Sequence, residues 1–197
     1  MGKGRLEAFS DGVLAIIITI MVLELKAPHS QNLGALRPLL PNFLSYALSF
    51  IFVGIYWNNH HHLFHAVKHV DGGILWANLH LLFWLSLVPF VTDWVGESNF
   101  GSQAVATYGV VLLLAAIAFT ILLKTLIAHH GKDSTLAQAV GRDHKGKVSL
   151  LLYAIGILGV YISPWIGIAM YGIVALIWLI PDPRIARRLV DDHHSHE

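Results

Sequence analysis

The sequence predicts an all-α membrane protein with six spanning helices and both termini on the cytoplasmic side. Three observations predict it. Of the 197 residues, 55% are hydrophobic and 13% charged, with a mean hydropathy of +0.62, whereas a soluble domain carries roughly 25% charged residues. The apolar residues gather into stretches long enough to cross about 30 Å of hydrocarbon at roughly 1.5 Å per residue. The basic residues fall on alternate sides of those stretches. Such a composition argues against a soluble enzyme or a disordered chain. Thirteen Lys+Arg against 12 Asp+Glu leave a net charge of +1, too little to attract nucleic acid. Cysteine is absent, which excludes disulfides, thiolate metal sites and a cysteine nucleophile.

The first span runs from Leu6 to Leu25, the second from Phe43 to Phe64, the third from Ile74 to Val95 and the fourth from Ala104 to Ile127. The last apolar stretch divides into Val148–Ser163 and Trp165–Ile180. Pro164 lacks an N–H and biases Ser163 away from helix, so the pair reads as a hairpin turn. With the N-terminus inside, Lys3, Arg5, Lys68, Lys124, Lys132, Arg142, Lys145, Lys147, Arg184, Arg187 and Arg188 are cytoplasmic and only Lys26 and Arg37 are outside. That bias requires an even number of spans. Residues 1–190 then form a single transmembrane domain. The polar tail 191–197, rich in Asp and His, is expected to be disordered. No signal-peptide pattern precedes the first span, which is expected to stay in the mature protein.

The first span is unusual. Glu7, Asp11 and Glu24 sit at depths where an ionised group costs about 2.5–3.5 kcal/mol near the bilayer centre, so they must face protein or water. Gly12, Ile16, Thr19 and Leu23 recur at i, i+4, i+7 and i+11 and form one stripe. Two readings of that stripe stand. Either Ile16 and Leu23 are ordinary packing residues and Thr19 bonds its own helix backbone, or the stripe faces a symmetry axis and narrows a conduit. Arg5 and Asp11 lie roughly 120° apart around the helix and cannot easily pair within it. Either Asp11 finds donors on neighbouring helices or stays near water, or Arg5 snorkels to lipid phosphate and Asp11 caps a turn.

The second span ends in Trp57-Asn58-Asn59-His60-His61-His62-Leu63-Phe64-His65. Three adjacent histidines point three ways, so no single metal takes all of them, and the run reads mainly as a polar cap. Asn78 and His80 on the third span need polar partners. Asp11, His60 and Asn78, all toward the cytoplasmic ends of their helices, are expected to satisfy one another. Thr107-Tyr108-Gly109 lies inside an apolar span and reads as helix packing, as do Gly156 and Gly159.

The run from Arg5 to Leu25 resembles the signature of the transmembrane protein 175 family. Its Arg-x-x-x-Phe-Ser-Asp pattern is matched by Arg5, Phe9, Ser10 and Asp11, and Trp57-x-x-His60-x-x-Leu63-Phe64 and Asn78-Leu79 with Pro89 agree as well. The motifs cover about the first 95 residues, and beyond them only hydropathy agrees. The resemblance implies a homotetramer of six-helix subunits in a prokaryotic cytoplasmic membrane. It implies four copies of helix one around a central pore, with Ile16 as the constriction and Thr19 and Leu23 as further pore-facing positions. Arg5, Phe9, Ser10, Asp11, Trp57, His60 and Asn78 are implied to form a structural network holding helix one.

The expected function is therefore a potassium-permeable channel with modest selectivity over sodium. It is not an enzyme, holds no metal or other cofactor, and has potassium as permeant ion and the bilayer as surroundings. The alternative is a proton or divalent-metal transporter built on His60, His61, His65 and Asp11. Less favoured are a haem protein with His60 and His80 as axial ligands, and an accessory subunit.

Overall fold

The computed structural model describes residues 2–28, 32–65, 67, 69–131, 134, 137 and 144–179. The expectations for the tail 191–197, for Ile180, and for Lys68, Lys132, Arg142, Arg184, Arg187 and Arg188 lie outside the described residues. Regular structure among the described residues is entirely helical: α1 (Lys3–Leu23), α2 (Leu40–His65), α3 (Gly72–Ser86), α4 (Val88–Glu97), α5 (Ser102–His130), α6 (His144–Gly159) and α7 (Pro164–Leu179). Since α3 and α4 continue one another as a single span from Gly72 to Glu97, the described helices form six helical units. The spans containing α1, α2, α3–α4 and α5 are each long and apolar enough to cross a membrane. The hairpin of α6 and α7, 16 residues apiece, completes the six.

Consecutive spans run antiparallel, and polar contacts mark both ends of the bundle. At the basal end Lys3 Nζ donates to the His65 carbonyl at 3.4 Å, and His129 Nδ1 lies 3.1 Å from Asp71 Oδ2. At the distal end Lys26 and Glu97 pair at 3.5 Å. Asp71 also starts α3. Its Oδ1 accepts from the Ile74 N–H at 2.8 Å, satisfying one of the orphan donors of the first turn.

Two details depart from the sequence reading. The third span is not one helix but breaks at Leu87. Pro89 offers no N–H to the carbonyl of Leu85, and its ring crowds that carbonyl. The Leu87 N–H turns instead to Trp84 at 3.3 Å, the ladder restarts with Val91 N–H on Leu87, and Thr92 Oγ1 donates to the Val88 carbonyl at 2.6 Å. A short 3-10 helix, Leu33–Leu39, also leads into α2. It is opened by Asn32, whose side chain accepts from the Gly34 N–H at 2.9 Å.

The core gathers around α5, which packs on α3, α4, α6 and α7. In hydrocarbon, apolar area alone does not drive helices together, so close backbone approach and buried polar bonds must do so. Fully buried Ala115 and Ala118 supply that approach on α5. Tyr171 of α7 is held between two glycines: a Cβ at Gly109 would overlap its hydroxyl, and one at Gly156 would lie 2.6 Å from its ring. The hydroxyl donates to the Val105 carbonyl at 3.3 Å. Gly159 likewise admits Ile166 from across the hairpin. At the distal turn Phe100 is left-handed (φ 60°), a conformation costing about 1–2 kcal/mol. Burial of the ring 5.2 Å from Trp165 offsets that cost.

Two outcomes follow for stability. Gly109→Ala, which drives a methyl into the Tyr171 hydroxyl, should cost about 1–3 kcal/mol and lower the unfolding temperature in detergent. Gly54→Ala, where a Cβ meets nothing within 4 Å, should leave it unchanged. The Asp71 carboxyl titrates below the ordinary aspartate value of 3.8, chiefly because the Ile74 N–H bonds its charged form and secondarily because His129 stands beside it. Its stabilising effect is therefore present above that ordinary value and is lost as pH falls through the lowered one. Asp71→Ala should unfold at lower temperature than the parent at neutral pH, and the gap should narrow in thermal scans as the pH is taken down through the lowered Asp71 titration.

Candidate functional site

α1 has two unlike faces. Leu6, Ser10, Leu14, Ile17 and Met21 are buried against α2, α3 and α4. On the opposite side Arg5, Phe9, Gly12, Ile16, Thr19 and Leu23 are exposed, with Ile16 59% and Leu23 72% accessible. The stripe of Gly12, Ile16, Thr19 and Leu23 thus points away from the chain's own bundle. Thr19 Oγ1 donates to the Ala15 carbonyl at 2.8 Å. That bond uses the hydroxyl hydrogen and leaves the oxygen lone pairs as the group's free function.

The buried face carries the one polar side chain of that face, and a chain of bonds holds it. His60 on α2 lies 2.8 Å from Asn78 Oδ1 on α3, and Asn78 Nδ2 donates to Ser10 Oγ on α1 at 2.9 Å. Ser10 in turn donates to the Leu6 carbonyl at 2.9 Å. Because Asn78 uses its amide hydrogen on Ser10 and presents its oxygen to His60, His60 Nε2 is the donor. The three side chains are no more than 3% exposed. Interhelical bonds in membranes contribute about 0.6–2 kcal/mol each, and these two join α1, α2 and α3.

Asp11 lies outside this chain. The expectation that it would satisfy His60 and Asn78 is corrected, because Ser10 takes that place and Asp11 Oδ1 instead accepts from Trp57 Nε1 at 3.1 Å. Ser10 lies on the buried side of α1, and Asp11, one residue and about 100° further round, reaches only the flank facing α2. Trp57 stacks on His61, with ring centroids 6.2 Å apart. Phe9 and Arg5 stay exposed, and among the described residues the Arg5 guanidinium makes no hydrogen bond or ion pair.

A second buried polar cluster escaped the sequence reading. Ser49 Oγ lies 2.6 Å from Thr92 Oγ1 and 2.9 Å from the Tyr108 hydroxyl, joining α2, α4 and α5, with Thr92 also 3.9 Å from Met21 Sδ of α1. Hydroxyl residues in apolar spans were the available signal. An open cleft of about 230 Å³ lies beside Thr92 and is lined by Glu24, Asn42, Ser45, Tyr46 and Asp93 among others. The histidine run is arranged differently from a ligand set. His61, His62 and His65 present rings 5.7–6.3 Å apart, and no group of three or more His, Cys, Asp or Glu among the described residues is placed to hold a metal. His80 Nε2 accepts from Trp84 Nε1 at 3.0 Å, so the nitrogens a haem iron would want on His60 and His80 are both engaged.

The chain is similar to known proteins in sequence and in fold. The family profile described as the endosomal/lysosomal potassium channel TMEM175 matches residues 5–89, from the exposed Arg5 to the proline that breaks the third span. A potassium channel of Chryseobacterium sp. (strain P1-3) is 57% identical over 192 residues, covering 98% of this chain and all of that one. A potassium channel of Streptomyces collinus is 31% identical, covering 88% of this chain and 90% of that one. The crystal structure of a lysosomal potassium-selective channel TMEM175 homolog from Chamaesiphon minutus superimposes with a TM-score of 0.78 at 30% identity, over 90% of this chain and 96% of that one. With the polar bracket on α1 and near-complete coverage of its relatives, this membrane protein belongs to the TMEM175 channel family.

Proposed function

We propose that the chain is a potassium-permeable channel in which four copies surround a central axis and α1 of each lines the conduit. The observation that carries this reading is the exposed stripe of Gly12, Ile16, Thr19 and Leu23 on the side of α1 opposite its buried face. A lone subunit would leave the Thr19 hydroxyl and the Asp11 carboxylate at lipid depth, which the bilayer opposes. Further copies of the same face give these groups protein or water. The potassium channels of related sequence and the potassium-selective channel of related fold support the choice of ion.

The chemistry follows from the stripe. Ile16 and Leu23, seven residues and roughly 10 Å apart along the helix, form two apolar rings that dewet when slightly too narrow. An ion passing between them sheds part of its hydration shell, and potassium sheds water at lower cost than sodium. Thr19 lies between the rings with its hydrogen already engaged, so its oxygen replaces one lost water ligand. Selectivity of this origin is modest, and no bound cofactor enters it. The Ser10–Asn78–His60 chain and the Asp11–Trp57 bond act as the bracket that holds the stripe at its radius. Residues 1–190 act as one channel domain, with the basic loops and both termini on the cytoplasmic side of a prokaryotic cell membrane.

Potassium flux into liposomes, run in parallel with sodium, tests the filter. Ile16→Asn should wet the neck and bring the two fluxes close to equal. Unchanged preference in a conducting Ile16→Asn protein would remove Ile16 from the filter. For the bracket, Asn78→Leu strands the buried His60 donor and should cost about 1–3 kcal/mol. Thermal melts should show that loss, and the potassium-to-sodium ratio of the remaining flux should fall toward one, because the stripe is no longer held at one radius.

A further inference from the structure

The pore stripe has a charged extension that none of its polar partners explains. At about 100° per residue, Arg5 lies within roughly 20° of both Ile16 and Leu23 around α1. It stands some three turns closer to the basal end, exposed, its guanidinium without a hydrogen bond or ion pair among the described residues. Neighbouring charges are arranged otherwise. Lys3 is turned to the His65 carbonyl, and Asp11 is held on the α2 flank by Trp57. Glu7 falls on the same side of α1 as Asp11, well over 100° from Arg5. The far end of α1 has the opposite sign. Glu24 is exposed there beside Asp93 and Glu97, with Lys26 the cation among them and paired to Glu97 at 3.5 Å.

We infer that Arg5 sets the direction in which this channel conducts best: four guanidiniums ring the basal mouth and deplete cations there, while the carboxylates of Glu24, Asp93 and Glu97 enrich them at the distal mouth. The inference rests on the proposed α1-lined tetramer, since only that assembly brings the Arg5 side chains around the ion path. Its size can be bounded. Four unit charges roughly 10 Å from the axis, in water and screened over a Debye length of about 10 Å at 0.1 M salt, lower the local potassium concentration about threefold. At about 0.01 M the depletion grows to several-fold more, and at about 1 M, where the Debye length is about 3 Å, it all but vanishes. Potassium leaving through the Arg5 mouth starts from the enriched side, whereas potassium entering by it starts from the depleted one. With the basal end in the cytoplasm, the channel favours inward current.

Single-channel currents in planar bilayers with symmetric potassium chloride test this directly. The parent should pass unequal currents at opposite voltages of equal size, and the inequality should fade as salt is raised from about 0.05 M to about 1 M. Arg5→Gln should raise the smaller current about threefold at 0.1 M salt, and Arg5→Lys, which keeps the charge, should retain the parent asymmetry. A parent asymmetry that ignores salt, or an Arg5→Gln channel with the parent's currents at low salt, overturns the assignment. The parent salt series stands even if Arg5→Gln does not assemble. Failure of the underlying reading looks different: Ile16→Asn would then leave the potassium preference intact. If Ile16→Asn abolishes preference while Arg5→Gln changes no current, the pore lies along α1 and only the role of Arg5 falls.

Discussion

Everything distinctive about this fold depends on a single serine being pulled inward. In hydrocarbon a buried hydroxyl must find partners or remain costly, and Ser10 finds Asn78, which finds His60. That chain decides which side of α1 faces the bundle. Once Ser10 is inside, the 3.6-residue period puts Leu6, Leu14, Ile17 and Met21 inside with it, and Gly12, Ile16, Thr19 and Leu23 follow outward. The exposed stripe is therefore a consequence of the bracket. Polar specificity sets the rotation of an otherwise greasy helix, which apolar packing against apolar lipid would leave weakly determined.

Much of this was legible because membranes impose simple rules. Span count and the hairpin at Pro164 follow from length, hydropathy and a missing N–H, and the observed helices begin and end within a few residues of those expectations. The stripe on α1 was readable from spacing, although spacing alone favoured ordinary packing over a pore. Exposure of Ile16 and Leu23 separates them from the core. Both readings of Thr19 turn out compatible, since its bond to the Ala15 carbonyl is present and its side chain is exposed nonetheless.

Where the reading failed, long-range geometry was at work. Pro89 was visible in the sequence, but a proline in a spanning helix is compatible with a bend or with a full break. Here the helix breaks at Leu87, and Thr92 ties α4 to α2 and α5 through Ser49 and Tyr108. Each of these hydroxyls sits alone in an apolar stretch, 43 and 59 residues from its partner, so no local pattern joins them. The exchange of Ser10 for Asp11 in the His60 network has the same cause. The two are adjacent in sequence but about 100° apart on the helix, and only the placement of α3 says which one Asn78 meets.

The bundle thereby holds α1 at two heights by different means. Near the basal end the link is a charged and aromatic one at the surface, Asp11 to Trp57, beside the buried Ser10–Asn78–His60 chain. Near the distal end α1 meets the hydroxyl cluster only through Met21, whose Sδ lies 3.9 Å from Thr92 Oγ1, a hydroxyl whose hydrogen is already on the Val88 carbonyl. A packing contact at a thioether constrains position far less than an amide bonded between two polar side chains. Leu23, the more exposed of the two apolar stripe residues, therefore belongs to the looser half of the helix, and Ile16 stands close above the tight half. A constriction that must hold one radius to discriminate ions by dehydration is better placed at Ile16. A ring that has to widen and narrow is better placed at Leu23. The anchoring of α1 is thus asymmetric, tight beside Ser10 and loose beside Met21.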